Sequence, residues 1–176
     1  LTPRRIGSLS TKTTHPHYIQ MVQSLFNDIE FNINVVNPYQ FRTKGEMLKE
    51  CKDQELLKKI IPESVSCSNW KRKGKQCGRC IPCLIRRAAL SKAGIQESNS
   101  YLYNDLNAVL KDQKNRDDLF AIITAVSKVN DKTITSWLLD SGPLSHDEKA
   151  RTQYKEIFMK GLSEVKDYLI KIGVIQ

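Results

Sequence analysis

The chain has 176 residues, 40% of them hydrophobic and 27% charged, with a formal net charge of +9. That is length enough for one domain or two small ones with a real core. No apolar run approaches the ~20 residues of a membrane span, and five cysteines, an odd number in a chain of this size, do not suit a disulfide-stapled secreted domain. The net charge favours partners that carry phosphate or other acidic groups.

The first residues, LTPRRIGSLSTKTTHPH, are dense in Thr, Ser, Pro and Arg and read as a loop entered from earlier polypeptide. On this reading the chain is the C-terminal portion of a longer protein. From His17 the pattern turns helical: Tyr18, Met21, Val22, Leu25, Phe26 and Ile29 share one face, with Thr14 as N-cap and Pro16 in the first turn. Phe31, Ile33 and Val35 then alternate with Asn32 and Asn34, which predicts a short strand closed by Asn37-Pro38. Thr43-Lys44-Gly45-Glu46 is a capping box that opens a second helix carrying Met47, Leu48 and Cys51. Cys51 reads as a buried small hydrophobe of that helix. A short helix around Glu55–Ile60 ends at Pro62. Helix, strand, loop and capped helix are the order expected at the edge of an α/β sheet.

The segment Ser66–Ala88 holds the other four cysteines, Cys67, Cys77, Cys80 and Cys83, with nine residues after the first and two between each of the rest. Two-residue gaps let successive thiolates turn back onto one ion, and Gly78 supplies the tight backbone of such a knuckle. A closed set of four thiolates is what zinc takes in structural sites. An iron–sulfur cluster also takes four cysteines, but the ferredoxin spacing calls for a fourth ligand three residues on, before a proline, and Leu84-Ile85-Arg86-Arg87 follow instead. Zinc is the favoured reading; a cluster or ligand-free thiols are the alternatives. Between Glu63 and Glu97 there is no acidic residue, whereas Lys71, Arg72, Lys73, Lys75, Arg79, Arg86, Arg87 and Lys92 are basic. This density either neutralises the site, whose four thiolates and one Zn²⁺ leave a charge of about −2, or forms a phosphate-binding patch. The segment contains one aromatic, Trp70, which favours a nucleic-acid platform less.

Pro82 opens a helix running to Ala93 and ended by Gly94, with Arg86 and Arg87 on its first turns. From about Gln96 onward the pattern is helical throughout: Tyr101–Leu110, Asp117–Val129, Thr133–Leu139, and a long helix to Ile172 opened by a capping box at Ser145-His146-Asp147-Glu148. The expected division is residues 1–95, holding the cysteines, and residues 96–176, an all-α extension.

Asn37-Pro38, Thr43-Lys44-Gly45-Glu46 and the run Cys77-Gly78-Arg79-Cys80-Ile81-Pro82-Cys83 through Arg86 occur together in that order. This set resembles the C-terminal third of the QueC family, the 7-cyano-7-deazaguanine synthases, whose CGxCxxCxxR pattern is matched through Arg86. The wording from Ser8 to Leu48 is similar to the QueC-like proteins of bacterial antiphage operons, the QatC-like branch, and the helical tail, unmatched in housekeeping QueC, favours that branch. The resemblance implies a Rossmann-like α/β domain of the adenine nucleotide alpha-hydrolase type (an N-type ATP pyrophosphatase) with a four-cysteine zinc knuckle, here its C-terminal part.

It also implies zinc and ATP as cofactors and a ligase that adenylates a 7-deazaguanine carboxylate or passes it to a partner protein. The family's ATP-cradling loop, SGGxDS, is absent from these residues. Lys44 matches the lysine of the family's TKxE segment and is the candidate phosphate contact; Arg86 faces the site beside the knuckle, and Arg87 lies at the surface. His15 stands where the family carries a substrate segment and is a candidate acid–base. A cytoplasmic location, an N-terminal ATP-binding portion and an operon-encoded protein partner follow as expectations. The alternative is a zinc-stabilised basic module that binds nucleic acid or protein without ATP chemistry.

Overall fold

A computed structural model describes residues 14–67, 69–96, 101–140 and 142–176. The N-terminal loop expectation falls outside the described residues. Among these, the regular elements are α1 (Pro16–Asp28), α2 (Lys44–Lys49), α3 (Gln54–Ile60) running into a 3-10 turn (Ile61–Glu63), α4 (Trp70–Lys73), α5 (Ile81–Ala93), α6 (Leu106–Lys111), α7 (Asp117–Lys128), α8 (Ile134–Leu139) and α9 (Glu148–Lys171). No helix among the described residues is long and apolar enough to cross a membrane.

The described residues contain no strand, which corrects the α/β expectation as far as this chain goes. Phe31, Ile33 and Val35 do alternate, but a strand exists only through a neighbour's backbone. Here a side chain stands in: Gln23 donates from Nε2 to the Ile33 carbonyl (2.9 Å) and accepts at Oε1 from the Val35 N–H (2.8 Å). The stretch is therefore extended but unpaired, entered through Glu30 at φ 55 and an N–H···O bond from Phe31 back to Phe26 (2.8 Å).

The chain forms two compact units. One takes its described residues from the part up to Phe41 and from Val129–Phe158. In it α1 is capped by His15 rather than Thr14, because Pro16 fixes the first helical residue and the His15 ring nitrogen Nδ1 then accepts from the His17 N–H (3.2 Å). α1 buries none of its residues. The small core of the unit is Val129, Ile134 and Leu138, while Gln40 donates to the Tyr154 hydroxyl (2.6 Å) and Phe41 stacks obliquely on the Tyr154 ring, 5.3 Å between centroids. α9 starts from Asp147, whose carboxylate accepts from Lys149 and Ala150; Ser145, the expected cap, instead accepts from the Asp147 N–H.

The other unit comprises Arg42–Lys128 and Met159–Gln176 and holds the cysteines. Its central element is α5. Pro82 sits in the first turn, and Gly94 at φ 70 closes the helix by returning its N–H to Leu90 and Ser91. Leu84 and Ala88 of α5 share one core with Leu106 and Val109 of α6, Leu119 and Ile122 of α7, and Val165, Tyr168 and Leu169 of α9. Leu84, Leu119 and Leu169 have no exposed surface, and each such burial contributes about 1.5–3 kcal/mol. α2 packs on α5. Its capping box forms as the spacing predicts, with the Thr43 hydroxyl accepting from the Glu46 N–H (3.0 Å) and the Glu46 carboxylate from the Thr43 N–H (2.8 Å).

Two local expectations change. α2 ends at Lys49, so Cys51 lies beyond it, partly exposed, with its thiol 3.5 Å from the Asp53 carbonyl rather than in a core. α6 begins at Leu106 instead of Tyr101, because Asp105 caps it by accepting from Asn107 and Ala108, and Tyr101–Tyr103 are drawn onto the cysteine segment instead.

Candidate metal centre

The four cysteines arrive from a loop and a helix start. Cys67 precedes α4, Cys77 and Cys80 flank the turn at Gly78–Arg79, and Cys83 lies in the first turn of α5. Gly78 has φ 82, a left-handed conformation that only glycine adopts freely, and a Cβ there would come within 2.6 Å of the Tyr101 Cβ and of the Tyr103 carbonyl oxygen. Two backbone hydrogen bonds hold that turn against the following segment, from Leu102 to the Gln76 carbonyl and from Tyr103 to the Cys77 carbonyl, both 3.0 Å. Gln76 is itself buried, accepting from the Ser66 N–H (3.0 Å) and donating to the Ser64 carbonyl (3.4 Å).

All four sulfurs lie within 4.8 Å of one another and all four residues are buried, Cys83 with no exposed surface. The Cys77–Cys83 and Cys80–Cys67 separations are each 4.0 Å. A tetrahedron with metal–sulfur bonds of about 2.3 Å has edges of about 3.8 Å, so the donor set needs only a slight contraction to enclose one ion. Backbone N–H groups already point at the sulfurs, Cys77 to the Cys67 Sγ (3.1 Å) and Cys80 to the Cys77 Sγ (3.4 Å). Such donors stabilise thiolate charge.

The thiols shift one another strongly. Cys77 is held far below the ordinary thiol range, first by the hydrogen bond from the Cys80 thiol and then by that from Cys83. Cys80 is pushed up to about 12, chiefly by the thiol hydrogen bond it makes to Cys77, and Cys83 is pushed up further by its bonds to Cys77 and Cys80 and by burial. A thiol cluster packed this closely favours one thiolate; a divalent cation is the charge that lets all four ionise. The four cysteines could thus hold a metal ion, and four soft, buried sulfurs are consistent with zinc.

The other predicted residues are placed differently from one another. Arg86, one turn along α5 from Cys83, is buried with 8% of its surface exposed. Its guanidinium donates to the Ile61 carbonyl (2.7 Å), the Ser64 carbonyl (3.1 Å) and the Ser64 hydroxyl (2.7 Å). These bonds tie α5 to the end of the 3-10 turn, so Arg86 positions the segment that leads into Cys67. Arg87, expected at the surface, is half-buried and donates to the carbonyls of Gly78 (3.2 Å), Tyr103 (3.3 Å) and Asn104 (2.9 Å). It also lies over the rings of Tyr101 and Tyr168. Its spacing of four from Cys83 puts it on the cysteine side of α5, a signal present in the sequence.

Lys44 is exposed at the first position of α2. His15 belongs to the other unit, where its ring caps α1 and its Nε2 lies 2.8 Å from where a Gly142 Cβ would stand. The cysteines and Arg86 therefore form one constellation, Lys44 lies on the helix packed against α5, and His15 has a local structural task.

Glu164 of α9 was not foreseen. Its buried carboxylate accepts from the Thr43 hydroxyl and the Gly45 N–H at the start of α2, and a Cβ on Gly45 would meet it at 2.6 Å. No sequence signal marks a pair 121 residues apart.

The model of the family described as "Queuosine biosynthesis protein QueC" matches residues 13–94, just short of half the chain. That segment, which contains all four buried cysteines, is QueC-like. No curated protein and no solved structure matches the chain.

Proposed function

We propose that the chain is the zinc-holding C-terminal portion of a QueC-like, ATP-dependent ligase of the kind found in bacterial antiphage operons. It acts in the cytoplasm on a 7-deazaguanine carboxylate, or transfers that group to an operon-encoded partner. The observation that carries this reading is the coincidence of the QueC-like segment, residues 13–94, with one buried cluster of Cys67, Cys77, Cys80 and Cys83.

Four protein ligands leave a zinc ion no open position for water or substrate, so its contribution is to close the knuckle. The chemistry is the carboxylate's attack on the α-phosphorus of ATP with departure of pyrophosphate, then attack by ammonia or an amine with departure of AMP. Positioning and charge stabilisation supply the catalysis. Lys44, exposed where α2 begins, provides a cation for a phosphate oxygen. Arg86 keeps the 61–64 turn against α5, next to the knuckle. The SGGxDS loop that cradles the phosphates comes from an ATP-binding portion outside these residues.

The test is pyrophosphate release by the full protein given ATP and a 7-deazaguanine carboxylate. Release that depends on the carboxylate and falls at least tenfold in Lys44→Ala supports the proposal. A zinc-loaded full protein that releases none overturns it.

A further inference from the structure

The basic residues around the cysteines fall into two groups. Arg79, Arg86 and Arg87 turn inward onto backbone carbonyls: Arg79 donates to Asn115 (2.8 Å) and lies over Tyr103, while Arg86 and Arg87 make the bonds given above. The side chains of Lys71, Arg72, Lys73 and Lys75, by contrast, are all exposed, and none of these side chains has a hydrogen-bond or ion-pair partner among the described residues. The sulfurs take their hydrogen bonds from the backbone of Cys77 and Cys80, not from these side chains. The loop's cations are therefore not committed to hydrogen bonds with the sulfurs.

The loop is also well anchored. It runs between Cys67 and Cys77, is pinned by the Gln76 side chain to Ser64 and Ser66, and contains the single turn α4, closed by Gly74 at φ 60 with open space around it. Four cations in five positions thus project from a braced turn, and Trp70, 41% exposed, stands immediately before them.

We propose that this loop, Trp70–Lys75, binds the phosphate backbone of a nucleic acid, independently of the ATP chemistry above. Exposed lysine–carboxylate pairs with an acidic protein would each be worth about 0.2–1 kcal/mol, too little for four of them to hold a partner. A nucleic acid adds the release of condensed counterions at every phosphate contacted. At an anionic membrane surface each cation is worth about 1 kcal/mol, so four of them with a single indole to insert give only weak binding. Trp70 gives a base something to stack on where the strand is single.

The experiment is fluorescence anisotropy of mixed-sequence duplex and single-stranded 20-mers with the zinc-loaded full protein across a salt series. The comparison is with a Lys71→Ala, Arg72→Ala, Lys73→Ala, Lys75→Ala variant. Four lost contacts should flatten the slope of log K against log salt by about 3–4 for duplex and weaken binding at 0.1 M salt roughly a thousandfold or more. Zinc content and circular dichroism should stay unchanged. Trp70→Ala should weaken the single strand about fivefold or more and leave the duplex alone. Equal slopes and affinities for variant and wild type overturn the proposal, as does binding to acidic-lipid vesicles with no binding to either oligonucleotide. If the quadruple variant loses zinc, Lys71→Ala with Lys73→Ala provides the same reading with half the change in slope.

Discussion

Replacing Arg86 by alanine separates a positioning role from a catalytic one. The guanidinium donates to two backbone carbonyls and a hydroxyl at 2.7–3.1 Å from an 8%-exposed position. A hydrogen bond to a charged group contributes about 1.5–3 kcal/mol, but the losses are not alike. Ser64 is exposed, so its carbonyl and hydroxyl regain water; Ile61 is 5% exposed, and its carbonyl loses the charged donor but keeps the Ser64 N–H (3.1 Å) and the Ser64 hydroxyl (2.8 Å). No acceptor is orphaned, so the loss of one buried charged hydrogen bond and two partly compensated contacts predicts about 1–3 kcal/mol. With a urea m-value of about 1–3 kcal/mol per molar, the unfolding midpoint should fall by roughly 1 M. Arg86→Lys keeps the charge but cannot reach Ile61 and Ser64 together through a fork, so it should recover less than half of the loss. The assay is urea unfolding of the zinc-loaded protein followed by circular dichroism. A midpoint within 0.3 M of wild type together with lost pyrophosphate release would refute the argument, because Arg86 would then act on substrate rather than on the fold.

Removing the metal should be as severe. Cys77→Ser, or a strong chelator on the wild type, is expected to abolish about one zinc per chain by elemental analysis and to cost the cysteine-bearing unit its cooperative unfolding transition, since structural zinc sites supply folding energy. Gly78→Ala combines a left-handed φ, about 1–2 kcal/mol for an L-residue, with contacts of 2.6 Å to Tyr101 and Tyr103; Gly74→Ala meets the same backbone cost in open space. Chelator competition should therefore show a large loss of zinc affinity for Gly78→Ala and little for Gly74→Ala. Glu164→Ala leaves the Thr43 hydroxyl and Gly45 N–H without their acceptor and should destabilise by about 1–3 kcal/mol in thermal unfolding; Glu164→Gln, which keeps an acceptor oxygen, should lose less than half as much.

What could be read in the sequence is what depends on near neighbours. Cys77, Cys80 and Cys83 are three residues apart, and a glycine at the turn is enough to bring such sulfurs together; the capping box at Thr43 and the close of α5 at Gly94 are equally local. The strand at Phe31–Val35 was not local in this sense. Its alternation is real, but a strand is completed by another backbone, and among the described residues Gln23 takes that place. Thr14 and Ser145 lost their caps to His15 and Asp147 because one or two residues of phase decide which side chain reaches the free N–H groups.

The tertiary structure alone decided where the cations point. Arg86, Arg87, Lys71 and Lys73 look alike in a sequence, because charge and spacing say nothing of which carbonyls lie within reach. Packing of α5 against the 3-10 turn buried Arg86 on Ile61 and Ser64, the fold around Tyr101 captured Arg87, and the braced loop left Lys71–Lys75 in water. In the same way Glu164 meets Thr43 only because α9 joins the core beside α5. The sequence determined that the cysteines gather into one cluster able to hold a metal ion; long-range packing determined which of the arginines hold the fold and which cations stay in water, because a buried guanidinium takes whatever acceptors the fold brings to it.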